Sequence, residues 1–404
     1  NQYQFRKCEI TIRGHECLSC VMKNKRSTIE LADILASRAD HFLTSKQLCG
    51  IQKSTYKSII QCRTSELGGH LSQCDNCSFQ KQAYNSCRNR HCPKCQYVKK
   101  AKWVDKLSGN LPPTKYFHIV FTIPDCLNKL FYTNQKEAYG ILFKSASKAL
   151  LQCAENTDYL GAKAGAVGIL HTWGQTLVYH PHIHMIVPAG GLCEDGSEWI
   201  PSHKKFFLPV KILSTIFRGI LCKEVEKAIE KKKITLPQDE VSFKKIKDLC
   251  YKKQWVVYSE KPFSNPENLI NYLGNYTHRV ALSNERIIAH KEGKVTFNYK
   301  DYKTAGLRKE MTLDEDEFIR RFLQHVLPSG FSKIRYFGFL ALRYLQDNIE
   351  KCISLLNQET FLPKLVGLNA IEVYRYLFKK DPLCCSKCNK GVMTSVCKQK
   401  YVPT

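Results

Sequence analysis

Strand-like and helix-like segments alternate along this chain in a pattern that predicts an α+β fold, with a cysteine-rich block ahead of the main domain. Three observations carry that expectation. Tyr116–Thr122 (YFHIVFT) reads as a buried strand, residues near 134–153 and 212–221 have the apolar period of helices, and the segment from Cys62 to Cys95 concentrates metal-type ligands. The 404 residues suffice for several packed domains, and 43% hydrophobic content supports real cores.

Residues 1–27 hold Cys8, His15, Cys17 and Cys20 among basic residues, a candidate metal-tied arm with no assignable element. From Ser27 to Cys62 the positions of Leu31, Ile34, Leu35, Ile59 and Ile60 have helical spacing. A basic, aromatic-dotted helix follows the cysteine block, and Leu111-Pro112-Pro113 then breaks the chain. The expected division is therefore 1–27, 28–110, 111–345 and a C-terminal helix with a cysteine-containing tail over 346–404. Within the third part, 165–178 and 182–188 read as two strands joined at a Val178–Pro181 turn. Ile212, Leu213, Ile216, Phe217, Ile220 and Leu221 mark a helix that is lysine-rich toward Lys233. Asn265-Pro266-Glu267 is a helix start, and that helix runs past Tyr276. IIAHKEGKVTFNY predicts a hairpin turning at Glu292-Gly293.

Sixty-two Lys and Arg against thirty-six Asp and Glu give a net charge of +26, which points to a polyanionic partner, nucleic acid first, over a merely solvated lysine surface. No run of eighteen apolar residues occurs and the opening NQYQFRKCEI lacks a signal-peptide core, so the expected place is inside the cell, with no membrane partner. In that compartment twenty cysteines read as thiolates for metal before disulfides.

Cys74-x2-Cys77 and Cys92-x2-Cys95, fourteen residues apart, have the spacing of a four-cysteine structural zinc site. Cys62, His70, Cys87 and His91 interleave with them as donors for a second zinc. Between Lys81 and Lys106 stand eight basic residues and one acid, with Tyr84, Tyr97 and Trp103 among them, a pattern suited to phosphate contact and base stacking. Arg88, Arg90, Lys94, Lys99 and Lys100 are the candidate DNA contacts here, with Arg279, Lys333 and Arg335 further along; a module that only supports the fold or binds protein is the alternative.

His182-Ile183-His184 alternates in a strand, so both imidazoles face one way and can share a divalent metal. Gln175 is the expected third donor, with His171 and His180 as rivals. Two imidazoles and an amide leave positions open for a phosphate oxygen on Mg²⁺ or Mn²⁺. Tyr272 and Tyr276 stand four apart on the helix begun at Asn265-Pro266 and share a face, either as paired nucleophiles or as an aromatic core stripe with Leu269, Leu273 and Val280.

Together CRTSELGGHLSQCDNC, NSCRNRHCPKCQ, YFHIVFTIP, HTWGQTLVYHPHIHMIVPAGG, YLGNYTHRVALSNERI and LPSGFSKIRYFGFLALR resemble, in order over roughly residues 30–345, the two-tyrosine HUH transposases of the insertion sequence ninety-one family. The resemblance implies an amino-terminal zinc-binding domain ahead of an HUH-endonuclease-like antiparallel sheet flanked by helices. It also implies rolling-circle processing of single-stranded DNA and hairpins at element ends, joining to target DNA through a 5′-phosphotyrosine, and a prokaryotic, cytoplasmic, nucleoid-associated protein. The family's metal histidines fall on His182 and His184, and its tyrosines on Tyr272 and Tyr276. A replication initiator or relaxase of the same chemistry, and a non-catalytic zinc DNA-binding protein, are the competing expectations. Cys384, Cys385, Cys388 and Cys397 resemble part of a zinc knuckle that Cys17 and Cys20 could complete if the termini met.

Overall fold

The computed structural model describes residues 29–45, 48–203, 207–239, 242–259, 281–301, 304, 306–359 and 361–399. The expected arm at 1–27 and the expected helix from Asn265, with Tyr272, Tyr276 and Arg279, lie outside the described residues.

Three short helices, α1 (Leu31–Ser37), α2 (Ala39–Thr44) and α3 (Gly50–Ile60), come first. Leu31, Ile34, Leu35 and Ile59 form their buried face, as the apolar period predicts. Tyr56 is fully buried and its hydroxyl donates to the Leu35 carbonyl at 2.6 Å, which locks α3 onto α1. The cysteine block contains the hairpin β1 (Gly69–Cys74) and β2 (Gln80–Tyr84), then α4 (Tyr97–Gly109), which stops just short of Pro112-Pro113.

The central portion runs β3 (Tyr116–Thr122), α5 (Asn128–Thr133), α6 (Gln135–Glu155), β4 (Gly165–Trp173), β5 (Tyr179–Pro188), β6 (Gly190–Leu192), β7 (Trp199–Pro201), α7 (Val210–Glu230), α8 (Phe243–Lys252) and β8 (Val257–Ser259). After residue 280 come β9 (Ile287–Lys291), β10 (Lys294–Asp301), β11 (Leu307–Asp314), α9 (Glu315–Leu323), β12 (Ile334–Gly338), α10 (Leu345–Leu356), α11 (Ala370–Phe378) and β13 (Met393–Gln399). Glu292 and Gly293 both take positive φ, 51° and 68°, as a tight β9–β10 hairpin requires. The β4–β5 turn, by contrast, occupies 174–178 and precedes the expected Val178–Pro181. There Leu177 adopts φ 61° and buries its side chain, so an apolar residue that looks like strand in the sequence is the anchor of the turn.

The main sheet has five antiparallel strands in the order β12-β4-β5-β3-β8. Period-two alternation gives it two unlike faces. One face presents Phe117, Ile119, Phe121, Ala166, Leu170, Ile183, Met185 and Val187 to α6 and α7, in a core with Phe143 and Phe217. On the other face Tyr116, Val167, Ile169 and Ile186 are roofed by Leu107 of α4 and Leu345 and Ile349 of α10, and the far end carries histidines. The fold is thus α+β, as predicted. A second core joins α1–α3 and the cysteine block to Ala281, Phe297, Phe318 and Phe322, so packing there crosses the boundary expected near residue 110. The C-terminal segment also returns to the cysteine block, where β13 pairs with β1 in a sheet ordered β13-β1-β2.

Candidate functional site

Two groups of four cysteines form, and their membership differs from that expected from spacing. Cys62, Cys87, Cys92 and Cys95 make one, and Cys74, Cys77, Cys385 and Cys388 the other, with the sulfurs of each group within 4.8 Å of one another. Spacing had joined Cys74 and Cys77 to Cys92 and Cys95. The hairpin carrying Cys74 instead pairs with β13, which brings the C-terminal Cys385-x2-Cys388 against it. The end of α3 places Cys62 beside Cys92 and Cys95. Cys384 and Cys397 are exposed and stand outside both groups, and Cys17 and Cys20 lie outside the described residues.

The geometry fits zinc. A Zn–S bond of about 2.3 Å gives a tetrahedron with sulfurs roughly 3.8 Å apart. The Cys74–Cys388 and Cys77–Cys385 separations are each 3.7 Å, and Cys62–Cys92 and Cys87–Cys95 each 3.6 Å. Four thiol donors close the sphere, so both sites are structural. Two expected nitrogen ligands are elsewhere. His70 is exposed on β1 opposite Ala83 and Lys398, and His91 accepts through Nε2 from the Leu327 amide at 3.3 Å.

The histidine face of the main sheet collects His171, His182 and His184, whose ring nitrogens lie within 4.8 Å of one another. His171 and His182 are direct cross-strand partners on β4 and β5, and His184 follows two residues on. Hydrogen bonds orient the rings. His182 Nδ1 donates to the His180 carbonyl at 2.6 Å, leaving Nε2 with its lone pair, and His184 Nδ1 meets His118 Nε2 at 2.8 Å. Burial holds His182 down to about 3, so its imidazole is neutral and ready to ligate.

Gln175, the expected third donor, has other contacts. It sits in the 174–178 turn, where its side-chain oxygen accepts from the Lys300 amide at 3.4 Å and its carbonyl accepts from Arg286. The expected turn would have set Gln175 opposite His184; the actual register sets His171 opposite His182. His118 went unread in the sequence, although it lies on the same alternating face of YFHIVFT. His180 contributes its carbonyl, and its ring centroid lies 5.3 Å from that of His182.

The basic candidates divide into distinct uses. Arg88 is exposed on the cysteine block and Lys99 on α4, whereas Lys94 is paired with Glu30 at 2.6 Å and Lys100 lies half-buried in α4. Arg335 projects from the opposite side of the main sheet, its guanidinium over the Phe143 ring at 4.6 Å from the centroid. Arg90 and Lys333 converge beside Trp173, His91 and His325 between the first cysteine group and the histidine face. Trp173 in turn stacks on His171, centroids 4.6 Å apart. Burial, then repulsion from Arg90, pulls Lys333 down to about 7, and burial first of all pulls His91 to about 3 and His325 to about 4.

Two zinc-fitting cysteine knots built into an α+β protein, with an imidazole triad on one sheet face, define a zinc-stapled protein with a second, open metal-type site. Comparison with known proteins is specific. The transposase zinc-binding domain family matches residues 34–123, and the family described as putative transposase matches 165–347. A putative transposase of Sinorhizobium fredii is 40% identical over 388 residues, 92% of this chain and 96% of that protein. The transposase for insertion sequence element IS801 of Pseudomonas savastanoi pv. phaseolicola is 29% identical over 353 residues, 86% of this chain and 84% of that protein. The chain belongs to the insertion sequence 91 family of transposases, with the zinc-binding domain toward its N-terminal side. No helix among the described residues is long and apolar enough to cross a membrane.

Proposed function

We propose that this transposase nicks and rejoins single-stranded DNA at element ends through a 5′-phosphotyrosine, with His171, His182 and His184 holding the catalytic divalent metal. The observation that carries the reading is the convergence of three oriented imidazoles on one sheet face of a chain bearing a net charge of +26. Three imidazoles are softer donors than the two imidazoles and one amide expected, which favours Mn²⁺ over Mg²⁺ as the occupant. When bound, the metal supplies Lewis-acid polarisation of the scissile phosphate.

The chain's own residues do the remainder. His118 and the His180 carbonyl hold the rings of His184 and His182 in the ligating tautomer. Tyr272 is the nucleophile: its phenol oxygen bonds to phosphorus as the bond to the 3′ oxygen breaks, leaving a 5′-phosphotyrosine and a free 3′-hydroxyl. The phosphoester energy is conserved in that linkage, and Tyr276 provides a second acceptor for strand transfer. Arg90, between the zinc knot and the histidine face, supplies positive charge for the strand, with Lys333 beside it.

Labelled single-stranded DNA from the element ends, incubated with the protein and Mn²⁺, forms a covalent adduct on a denaturing gel. Tyr272→Phe abolishes it. An adduct that persists in Tyr272→Phe assigns the chemistry to another residue and removes this mechanism.

A further inference from the structure

The cysteine block carries an open groove of about 830 Å³ lined by Arg63, Gln82, Tyr84, Asn85, Ser86 and Arg88, with no acidic residue in its lining. Its two arginines share an unusual backbone. Each directly follows a ligand of the first zinc site, Cys62 or Cys87, and each adopts the left-handed conformation, φ 64° and 54°. A chain turning around the metal imposes that conformation. The equivalent turns of the other zinc site hold Ser78 and Asn389, φ 53° and 54°, small polar residues that suit it better.

The rim between the arginines is fixed by hydrogen bonds: Arg63 N donates to the Asn85 carbonyl at 3.0 Å, and Asn85 N to the Gly68 carbonyl at 3.0 Å. Arg63 touches the Lys94 carbonyl at 3.4 Å, and among the described residues neither guanidinium is ion-paired with a carboxylate. Tyr84 offers a ring that is 41% exposed at the end of β2. Two cations aimed by a metal knot, beside a bare aromatic ring and side-chain amides, match a nucleotide with its base unstacked. Duplex DNA keeps its base faces covered and would leave the tyrosine unused.

We infer that this groove binds an unpaired nucleotide of the DNA strand, its base stacked on Tyr84 and its flanking phosphates held by Arg63 and Arg88. The inference rests on the DNA-processing reading above and adds a recognition site separate from the histidine face.

Its test is equilibrium binding of the zinc-loaded full chain, without added Mg²⁺ or Mn²⁺, to a fluorescein-labelled thymidine oligonucleotide of roughly 12 nucleotides and to a duplex of equal length. Tyr84→Ala weakens single-strand binding about tenfold and leaves duplex binding nearly unchanged, while Tyr84→Phe retains affinity. The double variant Arg63→Gly, Arg88→Gly weakens single-strand binding and reduces the salt slope by about 1.4, two phosphates at about 0.7 each. Because glycine suits both backbones, zinc content and thermal stability stay at or above wild type, which separates lost contact from lost folding. Unchanged single-strand affinity in both variants overturns the groove, as does an equal loss on duplex for Tyr84→Ala. If these losses occur while wild type forms no Tyr272 adduct, the groove stands and the nicking reading falls; if the adduct forms and affinities are unchanged, the reverse holds.

Discussion

The two four-cysteine knots use the same donor chemistry for different purposes. In the first, Cys62 and Cys92 are buried in a core shared with Phe297, Phe318 and Phe322, so the metal stiffens the layer that abuts the histidine face. In the second, Cys74 and Cys385 sit in a small satellite cluster with Met393, and the metal ties a surface hairpin to the C-terminal strand. The left-handed positions repeat the contrast, arginines at the first knot and Ser78 and Asn389 at the second. One knot presents cations and supports a core; the other closes the chain.

The largest expected effect breaks that contrast most sharply. A structural zinc site contributes on the order of 10 kcal/mol. Cys92→Ser therefore removes one zinc per chain and, because its sulfur lies in the shared core, abolishes the cooperative thermal transition. Cys385→Ser also removes one zinc but keeps that transition, freeing only the β13 contact with β1. Metal analysis beside calorimetry checks both, and equal collapse in the two variants would erase the distinction.

An intermediate effect follows from Lys333, pulled down to about 7 in the folded chain by burial and by Arg90. Its unfolded pKa is near 10.4, so between about pH 7 and 10 the unfolded chain binds more protons and stability rises with pH, by at most about 1.4 kcal/mol per pH unit. Lys333→Met removes that rise. The quantity to compare is the wild-type minus variant difference in urea-unfolding free energy across the window, and a flat difference contradicts the burial of this amine beside Arg90.

The smallest effects concern the backbone. Asn389→Ala costs about 1 kcal/mol by forcing an ordinary residue into the left-handed region, whereas Arg63→Gly is neutral or stabilising by a similar amount. Thermal denaturation of the two single variants reads the sign.

Much of this was legible in the sequence. YFHIVFT, the 134–153 period, the helix from Ile212 and the Glu292-Gly293 turn are local patterns, and local patterns suffice for β3, α6, α7 and the β9–β10 hairpin. Cys-x2-Cys spacing likewise identifies which thiols form pairs. It does not say which pairs meet, because that depends on β13 returning to β1 across more than 300 residues, Cys74 to Cys388 being 314 apart. His171 stood in the sequence only as a rival third donor, because the buried Leu177 and exposed Val178, apolar like strand residues, move the apparent turn forward and set Gln175 nearer the His182–His184 pair. His118 needed the β3–β5 register, which no single segment reveals.

The most direct test of the account compares His171→Ala with Gln175→Ala in Mn²⁺-dependent cleavage of single-stranded element-end DNA, with strand binding measured in parallel. With an imidazole triad, His171→Ala loses cleavage by at least about a hundredfold while still binding the strand, and Gln175→Ala stays within a few-fold of wild type. Cleavage retained by His171→Ala and lost in Gln175→Ala would contradict the imidazole triad and restore the amide as the third ligand.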